Sequence, residues 1–453
     1  MNPPASASFR SILGEKNFAR LWYGQIISSL GDRFYQFALL SVVLGIKGGM
    51  DVGKDSARVT FCAMLPGLLF APLYGWVVDH FSRRWVMFWS DIARAVLTIS
   101  LLYFWFERHD LIAVFIVIFL MGALNGLFIP ARQAALPQIV EPAKLIPANA
   151  LISLIGVIAN LVGALFAALI VSIFGARSSF LFNAMGFLTS AWFIYHITAN
   201  LSPGEIIDRK KTGFWRSSLE GWHVLREQRE LGPIVLVKSA FSFISALVLV
   251  TMLQQIVGRV DLSLVQALAG SLAHFLTHFA PKPPVFDIRM LGIGILFGSI
   301  GLGVGLGVLV CGRAQRWSHS KALPYVALAG LGVALVIFAS LREYGPALIG
   351  AVFLGLLTSL ILIPIEARLQ NDVDDARRGR LFALCNLCTT VSFLLGFAVN
   401  LDGRLLSLLG PAALIQDTGI LTLVLAVVLA LANASTLSSF WSAGPPKSPY
   451  SPE

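Results

Sequence analysis

Charge is what this chain has least of. Asp, Glu, Lys and Arg make up 13% of its 453 residues, about half the share of a soluble domain. An ordinary water-soluble fold is thereby excluded. Cysteine is scarce as well: Cys62, Cys311, Cys385 and Cys388 are the only four, and all fall in or beside apolar segments. Cys385 and Cys388 form a C-x-x-C, but inside a predicted helix and with no second ligand pair, so a structural role is expected. Clustered catalytic groups are also missing. The nearest approach is His274 and His278, which share a helix face; no Glu follows His274, and only Asp287 is near. A surface pair is the simpler reading, and the chain is read as having no enzymatic activity, metal or cofactor. The first twenty residues lack the apolar core and small-residue cleavage site of a signal peptide. The first apolar segment is therefore expected to remain as a membrane helix.

What is abundant is apolar sequence, 57% of the whole. Runs of about 20 apolar residues recur, each long enough to cross a ~30 Å hydrocarbon core. They place twelve spans at about residues 18–45, 59–79, 85–106, 111–132, 148–173, 178–198, 233–257, 290–312, 322–341, 345–367, 380–401 and 411–434. The fold class is all-α and membrane-embedded, since helices satisfy their own backbone in lipid. The formal charge of +10 reports topology, with no patch suited to nucleic acid. Of the 34 Lys and Arg, about 21 fall on one side of the membrane, about 10 on the other and about three within helices. That bias puts both termini in the cytoplasm of a cell membrane.

The chain also repeats. Pro130-Ala-Arg132 closes span 4 before Asn149 on span 5, and Pro364-Ile-Glu-Ala-Arg368 closes span 10 before Asn386 on span 11. Two related six-helix halves are expected, residues 1–198 and 233–435. Between them lies a cytoplasmic linker, 199–232, and after them a cytoplasmic tail, 436–453. Within the linker, Phe214, Trp215, Leu219, Trp222 and Leu225 recur at helical spacing among basic residues, which predicts an amphipathic helix on the inner membrane face. Internal repeats of this kind are a common build for secondary transporters, with the substrate site between the halves.

Ionisable residues inside apolar runs are functional candidates by default. Asp32 lies mid-way along span 1 and is the candidate for substrate contact or ion coupling, with a proton or sodium ion as partner. Arg33, its neighbour on a helix, is expected to point elsewhere. Asn125 on span 4 can hydrogen-bond between helices. Lys238, near the start of span 7, is either a site residue or snorkels to the surface. Glu366 and Arg368, at the cytoplasmic end of span 10, are candidates for a gate. Span 8 is dense in glycine, from Gly292 to Gly307, which allows close helix packing.

The densest charge in the first half is the hairpin between spans 2 and 3. Asp79 ends a helix whose dipole disfavours it, so Arg83 and Arg84 in the loop, or the positive end of another helix, are expected to balance it. Gly75, one turn earlier, would let another helix approach. Asp91 and Arg94, spaced i, i+3, can pair along span 3.

Gly75-x-x-x-Asp79-x-x-x-Arg83-Arg84, continued by Asp91-x-x-Arg94, resembles the loop 2–3 signature of the major facilitator superfamily. The resemblance implies twelve helices in two halves, alternating access and no catalysis. It gives Gly75, Asp79, Arg83, Arg84, Asp91 and Arg94 a part in gating. In that family the Asp pairs with the loop's basic residue and the start of helix 11, here near Arg380, and so holds the outward-open state. Arg132, in the repeated span 4 motif, joins this conformational set. The second-half counterpart, Gly312 to Lys321, has no Asp, and Gly163-Ala164 stands where many drug/proton antiporters of the family carry Gly-Pro. Gly24-Gln25, Ser28 to Asp32 and Ala148-Asn149 resemble macrolide and siderophore exporters. Leu69 to Pro72 and Ile363 to Gln370 resemble bacterial lysophospholipid transporters. Those last also occur fused to acyltransferase domains, and no segment here is long enough for one. The expected function is ion-coupled secondary transport of a small amphiphilic or hydrophobic molecule, either a lysophospholipid-like lipid or a drug- or siderophore-like efflux substrate. The other class to keep in view is a receptor or scaffold that has a transporter-like fold and moves nothing.

Overall fold

The structure, a computed structural model, describes residues 9–46, 52–141, 144–202, 222, 225–227, 231–276, 287–313, 322–371 and 375–432. The linker's amphipathic segment falls almost wholly outside these residues, as do His278 and the tail.

All twelve spans are present. Span 1 is Lys16–Ile46, and span 2 is built from Val52–Leu69 and Ala71–His80. Span 3 is Arg83–Glu107 and span 4 Leu111–Ile139. Span 5 starts at Leu145 and runs through a π-helical turn at Ala159–Gly163. Spans 5 and 6 then share the continuous helix Ala164–Tyr195, broken at Gly175 (φ 77°, ψ 172°). Only glycine adopts that conformation without strain. The second half holds Gly232–Arg259, Ile288–Arg313, Leu323–Ser340, Tyr344–Asn371, Asp375–Ala398 and Pro411–Ala432 as spans 7 to 12.

By length and composition alone, nine of the described helices could cross a membrane, or ten counting the bent pair of span 2. Two features account for the difference. Spans 5 and 6 are separated only by the kink at Gly175 and count as one stretch, and span 1 carries Lys16, Arg20, Asp32 and Arg33. Span 2 bends by 55° between its two pieces. Pro66 inside the first piece lacks the N–H for its i−4 bond, and Pro72 starts the second, so the ladder is weakest there.

The glycines of span 8 serve two neighbours. A methyl group at Gly303 would overlap the Val352 carbonyl of span 10, whereas one at Gly294 would overlap Ala168 of span 5. Backbones can approach this closely only where side chains are absent. The long connection after span 7 contains a helix, Ser263–Leu276, seated by Val265 and Ala269.

The two halves meet mainly at one end. Call the side where span 1 begins the near face and the opposite side the far face. At the far face Gly53 N–H donates to Gln254 of span 7 at 2.9 Å, and Arg58 donates to the Leu401 carbonyl at 3.0 Å. Ala57 is buried with Ala246, Val250 and Phe397. Spans 5 and 8 close the other edge, where Ser172 donates to the Asp287 carbonyl at 3.3 Å. Among the described residues, no comparable packing joins the halves at the near face.

Candidate functional site: a two-walled chamber

Between the halves lies a cavity of about 790 Å³, within the usual range for a small-molecule site. Its first-half wall carries a polar patch of Asp32, Arg33, Gln36, Arg94 and Asn125 among apolar groups such as Phe37, Leu40, Met64 and Phe187. The second-half wall is apolar: Leu249 and Leu253 of span 7, then Phe297, Ile300 and Val304 of span 8. The segregation follows from the sequence, because spans 7 and 8 carry no ionisable residue along these stretches.

Behind the polar patch stands a buried network. Arg94 is 4% exposed and Asp91 fully buried, and the two form an ion pair one helical turn apart. The guanidinium lies between the rings of Phe128 and Phe187, 4.7 and 4.3 Å from their centroids. Two aromatic faces and a carboxylate together make such a charge tolerable away from water. Asn125 approaches Arg94 at 3.5 Å, the outer limit of a hydrogen bond. Asp32 is half-buried on the chamber wall, within electrostatic reach of Arg94 and Arg33 and beside Asn183. Asn183 is fully buried and accepts a 3.0 Å bond from Thr98.

Arg33 does not point away from Asp32. Both line the chamber, because span 1 is central enough for adjacent positions to border one cavity. Arg132 also stays within its own half, donating to Gln25 at 2.7 Å. Lys238 is buried and does not snorkel. Its ammonium meets Glu366 at 2.6 Å, joining spans 7 and 10 away from the chamber lining. Arg368 is buried on the same helix as Glu366. Arg380 lies in the first turns of span 11.

The hairpin departs from the expected clasp. Asp79 is exposed, and the described residues give it no ion pair. Arg83 donates instead to the Ser202 carbonyl at 3.2 Å and Arg84 to that of Ile197 at 2.8 Å. Arg20 reaches the His196 carbonyl in the same way. The reason is local: span 6 ends at Tyr195, and a helix C-terminus offers unpaired carbonyls and a negative dipole end. Only Phe81 and Ser82 separate spans 2 and 3, so the arginines begin a helix already aimed at that end. Among the described residues, nothing lies within 4 Å of a methyl group built at Gly75, and no described helix packs on it.

Asn183 and Thr98 are not marked by the sequence reading, and Gln25 enters it only as part of the exporter-like Gly24-Gln25. Asn183 carried the signal that marked Asn125, a lone amide in an apolar run. Phe128 and Phe187 had no such mark among 32 phenylalanines.

Twelve helices in two halves around a substrate-sized chamber sealed at one end define a polytopic membrane transporter. The profile of the Major Facilitator Superfamily matches residues 21–397. The chain belongs to that family, as a multi-pass transporter of the cell membrane rather than an enzyme. It is 24% identical over 396 residues to the uncharacterised MFS-type transporter YfiS of Bacillus subtilis, covering 85% of this chain and 86% of that protein. Macrolide efflux protein A of Streptococcus pyogenes is 24% identical over 229 residues, 50% of this chain and 55% of that protein. Among solved structures, the nucleoside transporter NupG superposes with a TM-score of 0.67 at 12% identity, over 93% of this chain and 99% of that one.

Proposed function

We propose that the chain is a secondary active exporter that moves a small amphiphilic molecule by alternating access. The chamber carries this reading: a polar patch on the first-half wall facing an apolar second-half wall suits a molecule with both characters. Likeness to macrolide efflux protein A supports outward transport. The near face is cytoplasmic, from the excess of Lys and Arg in the loops on that side. In that orientation the structure is the inward-open state, sealed outside by spans 2, 5, 7, 8 and 11. The loose hairpin at Asp79 fits this state, because its clasp belongs to the outward-open one.

Asp32 is the coupling residue, a carboxylate at mid-depth that a proton or sodium ion can neutralise. Arg132, Glu366, Arg368 and Arg380 take part in closing the near face. The test is flux in proteoliposomes under imposed proton and sodium gradients. Wild-type flux should follow one of them, and Asp32→Asn should lower gradient-driven flux by about tenfold or more. Flux indifferent to both gradients and to Asp32→Asn would remove Asp32 from this role.

A further inference from the structure

Arg33 has no carboxylate at ion-pair distance among the described residues. Its Nη1 donates to the neutral Gln36 at 2.7 Å, and its buried Nε has no partner. Asp32 lies within electrostatic reach but does not pair with it. Two other interior cations are paired: Arg94 has Asp91, and Lys238 has Glu366. Arg132, nearer the near face, repeats the Arg33 pattern, held by Gln25 with its Nε unpartnered. Three arginines thus face two aspartates inside the first half. A partly buried guanidinium with no carboxylate on it leaves a positive charge that something entering the chamber can answer.

The fold makes room for Arg33. Gly163 ends the π-helical turn of span 5, and a methyl group there would sit 2.9 Å from the Arg33 Cγ. A π-bulge widens a helix locally and is frequent at functional sites. Here it seats the arginine stem while the fork borders the cavity. Across the cavity, spans 7 and 8 offer only apolar groups.

We propose that the substrate carries an anionic group, a carboxylate or phosphate, on an apolar body, with the anion on Arg33 and the body along spans 7 and 8. A guanidinium fork matches either oxyanion with two parallel hydrogen bonds. This rests on the chamber being the transport site, and it favours acidic or zwitterionic amphiphiles over drugs whose only charge is an amine.

The experiment is calorimetric binding to the full chain in a neutral detergent. The probes are dodecyl phosphate, dodecanoate and dodecyltrimethylammonium, which share a chain and differ in head group. The anions should bind at least roughly tenfold tighter than the cation. Arg33→Gln should erase that ratio and leave the cation's affinity within about twofold, while Arg33→Lys keeps part of the preference. Phosphate binding above carboxylate points to a phospholipid-like head, and the reverse to a fatty-acid-like one. Gly163→Val, which displaces the arginine without removing its charge, should also weaken anion binding and serves if Arg33→Gln does not fold. A tighter cation, or a ratio unchanged in Arg33→Gln, overturns the proposal. Ile300→Trp separates that failure from a wrong site. If filling the chamber abolishes binding of every probe, the transport reading survives; if it changes none, both fall.

Discussion

At the scale of single residues, the interior is governed by how each charge is matched. Arg94 is matched three times over, by Asp91, Phe128 and Phe187. Replacing it with alanine strands a fully buried carboxylate, a change that typically costs about 3–5 kcal/mol. Arg94→Ala should therefore lower the thermal unfolding midpoint of the detergent-solubilised protein markedly. Arg94→Ala combined with Asp91→Leu should recover most of that loss, because no buried charge is left over. If the double variant were no more stable than the single one, the pair would not be the reason. Asp32, Asp91 and Arg94 were legible in the sequence because charge in an apolar run is conspicuous. That Arg33 faces the same chamber as its neighbour was not legible, since helical spacing describes one helix and the chamber is bordered by eight spans.

At the scale of elements, glycine position decides which helices can touch. Gly303 and Gly305 lie two residues apart on span 8, yet only Gly303 meets a neighbour's backbone, while Gly305 borders open space. Gly303→Leu should force spans 8 and 10 apart and sharply reduce the folded yield in size-exclusion chromatography. Gly305→Leu should fold normally, helped by the roughly 1 kcal/mol that leucine gains over glycine within a helix. Equal behaviour of the two variants would refute the packing assignment. Sequence showed the glycine density of span 8 but not its two faces, because the partners at Val352 and Ala168 come from other spans. The hairpin teaches the same lesson: its motif named Asp79, Arg83 and Arg84, whereas their partners depend on where span 6 ends. The break at Gly175 falls between the expected ends of spans 5 and 6, because the short polar stretch around it interrupts the apolar run.

At the scale of the whole molecule, the arrangement of contacts sets which motion remains. Among the described residues, packing between the halves runs from the far face to mid-depth, through Gly53, Ala57 and Arg58 on one edge and spans 5 and 8 on the other. If the halves rock about the chamber, this seal has to open while the near face closes. A covalent tie across the seal should hold the protein as it stands. With the four native cysteines replaced, Ala57→Cys and Ala246→Cys place a thiol pair within one buried cluster at the far face. Oxidation should lower flux in proteoliposomes to about a tenth or less, with recovery on reduction, because the bond constrains the open form far more than the closed one. Binding from the near face should persist in the oxidised protein, since the chamber itself is untouched. Full flux through a demonstrably cross-linked protein would mean that the far seal need not part, and the alternating motion proposed for the two halves would be wrong.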